Sequence, residues 1–331
     1  MKYRKLGRTG LIVSEICLGT MTFGNQIDET ESTKLIEWSL DQGVNFIDTA
    51  DVYVGGKTEL IVGKALKKKR HQVVLATKIG AWQSGPTVND IGLSRRNIMD
   101  GIEGSLRRLG TDYIDIYYAH MPDNATPIEE TLRAFDDLIH QGKVLYIGCS
   151  NYQAWQLCKA LWTSDHHNIA RYDCIQPPYN LLVRGIEDEI LPLCSNEKVG
   201  ICVYNPLAAG LLTGKHDRGK SPAQGTRFSN KLQGKEYSNR YWRESNFKAV
   251  ARLKEITQKH GRSMAQFALA WILNNRYISS VICGANSVKQ LEENLGVIGL
   301  TLTDEELAFC DDIWHELRPP IYFSGAQQLY R

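Results

Sequence analysis

The sequence predicts an α/β fold, because apolar runs of strand length alternate with amphipathic segments of helix length along almost the whole chain. Eight such runs occur with no break in composition between them, which favours one (β/α)8 barrel, the TIM barrel, over two doubly wound domains. The length of 331 residues fits either arrangement. We therefore predict a single barrel domain over residues 1–331, with an N-terminal hairpin and extra helices near the C-terminus.

The predicted strands are apolar segments whose alternation with helices indicates parallel strands joined by crossovers. They are EICLGT (15–20), VNFIDTA (44–50), VVLATKI (73–79), YIDIYYAH (113–120), VLYIGCSN (144–151), DCIQPPYN (173–180), VGICVYNPL (199–207) and SSVICGA (279–285).

Helical patterns separate the strands, and several of them open with Ser, Thr, Asp or Pro and close on Gly, as helix caps do. They are ETESTKLIEWSLDQG, KTELIVGKALKKK, SRRNIMDGIEGSLRRLG, PIEETLRAFDDLIHQGK, YQAWQLCKALWT, EDEILPLCSNEK and SVKQLEENLGVI. A further helix, SMAQFALAWILNN, precedes the eighth strand, and DEELAFCDDIWHEL follows it near the C-terminus.

Three segments lie outside the eightfold pattern. MKYRKLGRTGLIVS predicts a hairpin that turns at RTG and is placed to plug the N-terminal mouth of the barrel. Residues 210–245 are rich in Gly, Lys, Ser and Asn without a strong period, which predicts a lid or binding loop. The tail RPPIYFSGAQQLYR leaves two interpretations open, closure over the pocket or assembly into a homo-oligomer.

Composition excludes several classes of protein. The formal net charge of +2 gives no basis for a nucleic-acid partner or an acidic-membrane partner. No window approaches 18 uninterrupted apolar residues, and the start MKYRKLGRTG lacks the apolar region of a secretory signal. We therefore expect a cytoplasmic protein that does not bind membranes.

The metal-ligating residue types show no ligand pattern. The eight cysteines are scattered without a CxxC pair, and most lie in apolar runs, which predicts reduced, buried thiols. His166 and His167 stand in the polar segment TSDHHNIA, which we interpret as a loop without partnering ligands. No metal site is predicted.

A barrel predicts chemistry at the C-terminal ends of its strands. Polar residues fall at those ends: Asp48 to Tyr53, Lys78, His120, Ser150 with Asn151, Gln176, and Tyr204 to Leu207. Burying the Lys78 ammonium is costly unless a carboxylate neutralises it, and Asp48 on the adjacent strand is placed to do so.

A lysine close to Tyr53 is expected to lower the pKa of the phenol and make it a better proton donor. His120 would orient a substrate carbonyl or share its proton. Together these residues predict a general-acid site next to a carbon that receives a hydride. Each residue alone has a packing interpretation, and a lysine at a strand end is also typical of Schiff-base lyases.

Two cofactor motifs are excluded. No GxGxxG follows a strand and opens a helix, so a Rossmann site has no support. GLLTGKH is one residue too short for a P-loop and has His216 where Ser or Thr binds magnesium.

From end to end the chain resembles the aldo-keto reductases, through FIDTADVY, LATK, YYAH, GCSN, YNPLAAGLLTGK and GANSVKQLEENL. The resemblance implies a catalytic tetrad of Asp48, Tyr53, Lys78 and His120. It also implies an NADPH cofactor whose nicotinamide contacts Ser150, Asn151 and Gln176, with Tyr204 stacked on the ring. The pyrophosphate would lie along residues 207–215.

The segment GANSVKQLEEN begins a helix whose free N–H groups suit a phosphate. By resemblance it contacts the adenosine end. Some relatives carry Arg where Gln290 stands, so the preference for NADPH stays open, with Lys215 and Arg227 as alternative cations. The implied cofactor residues are Thr20, Met21, Asp48, Ser150, Asn151, Gln176, Tyr204, Asn205, Pro206, Leu207, Gly210, Leu212, Gly214, Lys215, Arg227, Gly284, Asn286, Gln290, Glu293 and Asn294.

Within the family the chain is most similar to the branch of the potassium-channel β-subunits, through TFGNQ, GLSR, PDNATPIEETLRA and SPAQGTRF. Those subunits carry Asn where His120 stands, and no long inactivating segment precedes Met1. Bacterial and plant reductases of the branch are therefore the better comparison. A redox-sensing NADPH-binding subunit is the alternative function.

The expected function is NADPH-dependent reduction of an aldehyde or ketone, with a small carbonyl compound as the partner. An apolar, aromatic mouth would receive it. Its expected substrate residues are Phe23, Tyr53, Trp82, His120 and Met121, and residues 237–242 of the long loop are expected nearby.

Overall fold

A computed structural model describes residues 1–83, 85–230 and 234–318. Two short antiparallel strands, β1 (Tyr3–Lys5) and β2 (Ile12–Ser14), form the N-terminal hairpin. Eight parallel strands follow and close into a barrel in the order β10-β3-β4-β5-β6-β7-β8-β9. These strands are β3 (Ile16–Gly19), β4 (Phe46–Asp48), β5 (Val74–Ile79), β6 (Ile114–Ala119), β7 (Val144–Ser150), β8 (Cys174–Gln176), β9 (Gly200–Val203) and β10 (Ser280–Gly284). All eight predicted strands and the barrel are confirmed.

Helices surround the barrel. In the described residues they are α1 (Glu29–Asp41), α2 (Lys57–Leu66), α3 (Arg95–Leu109), α4 (Ile128–His140), α5 (Ala154–His167), α6 (Ile190–Glu197), α7 (Gly234–Tyr241), α8 (Glu244–Lys259), α9 (Met264–Asn274), α10 (Val288–Leu295) and α11 (Asp304–Leu317). Side-chain oxygens of Asp28, Ser94 and Thr303 accept backbone N–H groups at the starts of α1, α3 and α11, as the capping residues predicted.

Part of the long-loop prediction for residues 210–245 is wrong. The segment contains α7, as well as a short 3-10 helix at Arg227–Ser229. Only Gly234 and Tyr241 of α7 are buried, so the helix has no apolar stripe for a pattern to detect. The helix α8 was also missed, although Val250, Leu253 and Ile256 form a buried stripe with helical spacing.

Two further expectations are corrected or left open. Helix α5 continues to His167, so His166 and His167 are helical and not in a loop. Seven cysteines are buried, and Cys158 on α5 is exposed. The expectation for the C-terminal tail falls on residues 319–331, outside the described residues, and the single-domain prediction stays a prediction.

The alternation of side chains along the strands places the polar groups. In β4, Phe46 belongs to the cluster inside the barrel, Ile47 faces the surrounding helices, and Asp48 faces inward again. Strand register sets Asp48 opposite Ala76 of β5, two residues before Lys78. Asp48 and Lys78 therefore meet inside the barrel at its C-terminal mouth.

The hairpin closes the other mouth. Leu6, between β1 and β2, is 0% exposed and packs in the same interior cluster as Phe46, Cys174 and Cys202. The backbone fits closely, because a Cβ on Gly7 would lie 2.3 Å from the backbone nitrogen of Gly200. The predicted plug is confirmed, and the cavity lies at the opposite end of the barrel.

We predict that Leu6→Ala lowers the free energy of unfolding by about 2–5 kcal/mol, because it leaves a cavity in the interior cluster. Denaturant unfolding measures this loss. Ile12→Ala is the control on the same hairpin, since Ile12 is 51% exposed. A Leu6→Ala effect no larger than that of Ile12→Ala would contradict the plug.

Candidate active site

The C-terminal ends of the strands surround a cavity of about 670 Å³. Most residues that the sequence analysis selected lie on its wall: Thr20, Met21, Asp48, Tyr53, Trp82, His120, Met121, Ser150, Asn151, Gln176, Tyr204, Asn205, Pro206, Leu207, Gly210, Lys215, Arg227, Gly284, Asn286, Gln290, Glu293 and Asn294. The fold therefore gathers residues from both ends of the chain into one place.

Four selected residues lie away from that wall. Phe23 is 0% exposed and belongs to the core between strands and helices, so it is corrected from a substrate residue to a packing residue. Its backbone N–H donates to the Thr20 carbonyl at 2.9 Å in a tight turn. Leu212 is buried in the same core, Gly214 packs against Met264, and Lys78 lies below the cavity surface.

Lys78 is the centre of the site. Its Nζ donates to Asp48 Oδ1 at 2.5 Å and to the Thr49 carbonyl at 2.7 Å, and it lies 3.4 Å from the Tyr53 hydroxyl. Burial alone would lower the pKa of Lys78, but Asp48 and then Tyr53 outweigh it and raise that pKa above its ordinary value. The ammonium is therefore held in its charged form beside the phenol.

The pKa of Tyr53 differs from our expectation. Burial raises the pKa of the phenol above its ordinary value, and Lys78 opposes that rise only in part, while Asp48 adds to it. The expectation of a lowered pKa is therefore wrong in its net direction. The phenol keeps its proton at neutral pH, which suits a group that donates a proton.

His120 lies beside the phenol. The two rings meet edge to face with centroids 6.0 Å apart, and the Trp82 ring also meets the imidazole edge to face, with centroids 6.2 Å apart. Burial, helped by the charge of Lys78, lowers the pKa of His120 well below its ordinary value. The imidazole is thus neutral at physiological pH. Nδ1 is buried without a hydrogen-bond partner in the described part of the chain.

A row of amides and hydroxyls lies opposite the Asp48–Lys78 pair. The Ser150 hydroxyl donates to the Gln176 carbonyl at 2.8 Å, and the Asn151 amide donates to the His120 carbonyl at 2.9 Å. The Tyr204 hydroxyl donates to Asn151 Oδ1 at 2.8 Å, and burial raises the pKa of Tyr204 to about 12. These contacts fix each side chain before any ligand arrives.

Gln176 has a second partner that the sequence did not indicate. Its Nε2 donates to Asp48 Oδ2 at 2.8 Å, so both oxygens of Asp48 are occupied. The carboxylate therefore joins the ammonium to the amide row. No local pattern could predict this contact, because it joins β4 to β8 across the barrel.

The loop after β9 has a constrained backbone. Asn205, Ala208 and Ala209 have φ of 59°, 49° and 59°, values that are uncommon for residues other than glycine. The Asn205 side chain accepts the Ala209 N–H at 2.7 Å. Lys215 reaches back to this loop, with Nζ 3.6 Å from where a Cβ on Gly210 would stand. The Lys215 ammonium therefore lies beside the backbone of this loop.

Another part of the cavity wall lies at the start of α10. The Ser287 hydroxyl caps the helix by accepting the Gln290 N–H, and Gln290 Oε1 accepts the Asn286 N–H at 2.9 Å. The Asn286 amide donates to Gln26 Oε1 at 2.9 Å. Gln26 lies on the cavity wall and was missed from the sequence.

Helix α7 covers one side of the cavity. It contributes Glu236, Tyr237 and Arg240 to the wall, and Glu236 forms an ion pair with Arg240. The Tyr241 hydroxyl anchors the helix by accepting a hydrogen bond from Asn205 Nδ2 at 2.7 Å. Trp242 does not line the cavity.

An aromatic cluster joins residues that precede α7 to residues that follow it. His216 and Phe228 have ring centroids 5.0 Å apart, and both rings meet Trp242 edge to face. Trp242 in turn contacts Phe247 of α8 with centroids 5.0 Å apart. Residues before and after α7 are thus joined to each other and to the outer helices.

Residues 15–315 match the model of the aldo/keto reductase family. The chain belongs to this family. It is 40% identical over 304 residues to a probable voltage-gated potassium channel subunit beta of Arabidopsis thaliana, covering 90% of this chain and 91% of that protein. The corresponding protein of Oryza sativa subsp. japonica is 42% identical over 301 residues, covering 89% and 90%.

A bacterial relative is similar over nearly the full length. It is an uncharacterized oxidoreductase, YrpG, of Bacillus subtilis (strain 168), 36% identical over 324 residues that cover 95% of this chain and 96% of that protein. The predicted family and branch are confirmed. Among the described residues, no helix is both long and apolar enough to cross a bilayer.

We predict that Lys78→Met lowers the free energy of unfolding by about 3–5 kcal/mol, because it leaves the buried Asp48 carboxylate without its cation. Lys64→Met is the matched control, since Lys64 pairs with Glu29 on the surface, where such pairs contribute about 0–1 kcal/mol. Denaturant unfolding compares the two variants. Similar losses would contradict the importance of the buried pair.

Proposed function

We propose that this aldo/keto reductase reduces small aldehydes or ketones with NADPH. One observation carries the proposal: the Tyr53 hydroxyl lies on the cavity wall within 3.4 Å of a buried, charged lysine. A proton donor next to a cation is what a carbonyl oxygen requires when it gains negative charge. The bound dinucleotide would supply the hydride to the carbonyl carbon.

The residues of the cavity fit a phosphorylated dinucleotide. Ser150, Asn151 and Gln176 offer hydroxyl and amide groups for a carboxamide, and Tyr204 offers a ring face. Lys215 and Arg227 on the wall supply positive charge for phosphate groups. The roles of these residues, and of Asn286, Gln290, Glu293 and Asn294 at the adenosine end, belong to the proposal.

The chain's own residues account for the proton. Tyr53 donates its phenolic proton to the carbonyl oxygen, and Lys78 stabilises the phenolate that remains. Asp48 holds Lys78 in place and compensates its charge. Neutral His120 offers an imidazole nitrogen to the same oxygen, and Trp82 and Met121 would pack against the organic part of the substrate.

The geometry favours this chemistry over a Schiff-base lysine. A nucleophilic amine must be neutral and accessible. Lys78 is 0% exposed, its pKa is raised, and its Nζ already donates to Asp48 and to the Thr49 carbonyl. We therefore expect no borohydride-trapped adduct with a carbonyl substrate.

A regulatory subunit is the second candidate, because the relatives from Arabidopsis and rice bear the name of channel β-subunits. Such a protein would hold NADPH tightly and turn over slowly. Oxidation of NADPH in the presence of a panel of aldehydes and ketones separates the two functions. Multiple turnovers per minute support the reductase, and a single slow turnover supports the regulatory subunit.

We predict that Tyr53→Phe lowers kcat for carbonyl reduction by about 10²–10⁴-fold, because the proton donor is lost. Binding of NADPH, measured by fluorescence titration, should change little. Tyr3→Phe is the control, since the Tyr3 hydroxyl donates to the Gly43 carbonyl at the far end of the barrel. Full activity in Tyr53→Phe would remove this residue from the mechanism.

We predict that Arg227→Ala raises the KM for NADPH about tenfold or more and the KM for NADH much less, because a charged hydrogen bond to the extra phosphate is lost. Parallel kinetics with the two cofactors measure the difference. Arg218→Ala is the control, because Arg218 pairs with Glu244 outside the cavity. Equal changes in KM for both cofactors would show that Arg227 does not contact the extra phosphate of NADPH.

A further inference from the structure

The side chain of His120 is held differently from its backbone. The backbone N–H donates to the Ile79 carbonyl at 2.8 Å, and the backbone carbonyl accepts Asn151 Nδ2 at 2.9 Å. Nδ1 of the imidazole, in contrast, is buried without a hydrogen-bond partner among the residues that the structure describes. A functional histidine usually has one ring nitrogen hydrogen-bonded, which sets the direction of the other. Nδ1 gives the His120 ring no such anchor.

Two aromatic rings contact the imidazole instead. The Tyr53 ring meets it at an interplanar angle of 78°, with centroids 6.0 Å apart. The Trp82 ring meets it at 66°, with centroids 6.2 Å apart. Aromatic rings attract one another edge to face at centroid distances of about 4.5–7 Å. Rotation of the imidazole is therefore limited by packing against Tyr53 and Trp82.

The strand that carries Lys78 also places Trp82. The indole follows the end of β5 by three residues, after a turn through Gly80. Gly80 has a φ of 94°, which favours glycine, and a Cβ there would lie 2.6 Å from Leu93 Cδ2. The turn after β5 thus packs closely against the segment before α3. The position of Trp82 beside His120 is set by this close packing.

Core packing does not explain the position of Trp82. Its residue surface is 54% exposed, although tryptophan is highly buried on average. Trp271 of α9, which packs in the core, is 6% exposed. Trp82 instead lies on the cavity wall together with His120. Its ring therefore contacts a residue of the site while much of its own surface stays in water.

We propose that Trp82 is a positioning residue: its ring, together with that of Tyr53, holds the His120 imidazole in the orientation in which a ring nitrogen meets the carbonyl oxygen of the substrate. The inference rests on the proposed carbonyl reduction. It gives Trp82 a role that a contact with the organic part of the substrate does not include. Loss of the indole should leave His120 in place but free to rotate.

The ionisation of His120 gives a test that does not depend on turnover. Burial is the main cause that lowers the pKa of His120 below its ordinary value of 6.5, and the charge of Lys78 adds to it. Because the indole packs against the imidazole, Trp82→Ala admits water and should raise this pKa towards 6.5. Trp82→Phe keeps a ring and should leave the pKa low. NMR titration of the imidazole C–H signals measures both, with His120→Ala to assign the signal.

The ionisable groups on the elements around the imidazole are the same in wild type and in these two variants. Among the described residues they are Asp48 of β4, Tyr53 of the turn after it, Lys78 of β5, Tyr204 after β9, and Glu236, Tyr237 and Arg240 of α7. Glu236 and Arg240 pair with each other, as Asp48 and Lys78 do. A change in the pKa of His120 therefore reports the loss of the indole. An unchanged pKa in Trp82→Ala would contradict the contact.

A double-mutant cycle decides whether Trp82 acts through His120. Trp82→Ala, His120→Ala and the double variant are compared by kcat and KM for one aldehyde of the panel at saturating NADPH. If Trp82 orients the imidazole, Trp82→Ala lowers kcat about tenfold when His120 is present and changes it little when His120 is already Ala. A contact with the substrate alone would appear chiefly in KM. Equal losses of kcat in both backgrounds would overturn the inference.

Two variants control for the loss of a large ring. Trp82→Phe should retain most of the wild-type kcat, because an aromatic ring still meets the imidazole. Trp155→Ala removes an indole that is 58% exposed on α5, where its Nε1 donates to Gln153 Oε1 away from the cavity. It should keep the wild-type kinetics and the low pKa of His120. A loss of kcat in Trp155→Ala equal to that in Trp82→Ala would overturn the inference.

The inference and the proposed function fail in different ways. If the wild type reduces none of the carbonyl panel, the proposed function fails, while the NMR titration still tests whether Trp82 controls the surroundings of His120. If the wild type reduces carbonyls, but Trp82→Ala leaves both kcat and the pKa of His120 at their wild-type values, only the inference fails.

Discussion

The structure depends on the burial of one ammonium group inside a ring of strands. Lys78 can stay charged there only because Asp48 lies 2.5 Å away and the Thr49 carbonyl accepts a second hydrogen bond. Asp48 in turn requires Gln176 for its other oxygen. The fold must therefore hold β4, β5 and β8 in one register, and the closed barrel with its plugged lower mouth does so.

The sequence was sufficient for the barrel because its strands and most helices follow simple periods. Because the strands can be located in the sequence, the residues at their C-terminal ends can be located too. Nearly all of these residues line the cavity. Periodicity failed where a helix has no buried stripe, as in α7. The assignment of Phe23 to the substrate was wrong for a different reason, since an aromatic residue next to a site can serve either the core or the ligand.

Electrostatics was the least predictable part of the site. A lysine beside a phenol suggested a lowered pKa for Tyr53, but the result depends on how burial compares with charge, and burial is a property of the whole fold. The contact between Gln176 and Asp48 has no local signal for the same reason. The partners of a polar group are set by packing, whereas its presence at a strand end is set by sequence.

The fastening of α7 has a consequence for the lifetime of any bound molecule. Tyr241 ties the helix to Asn205, and the aromatic cluster joins the flanking residues to α8. A ligand departing on that side has to wait until these internal contacts separate. Its residence time would then depend on the rate of that opening as well as on the ligand's own contacts.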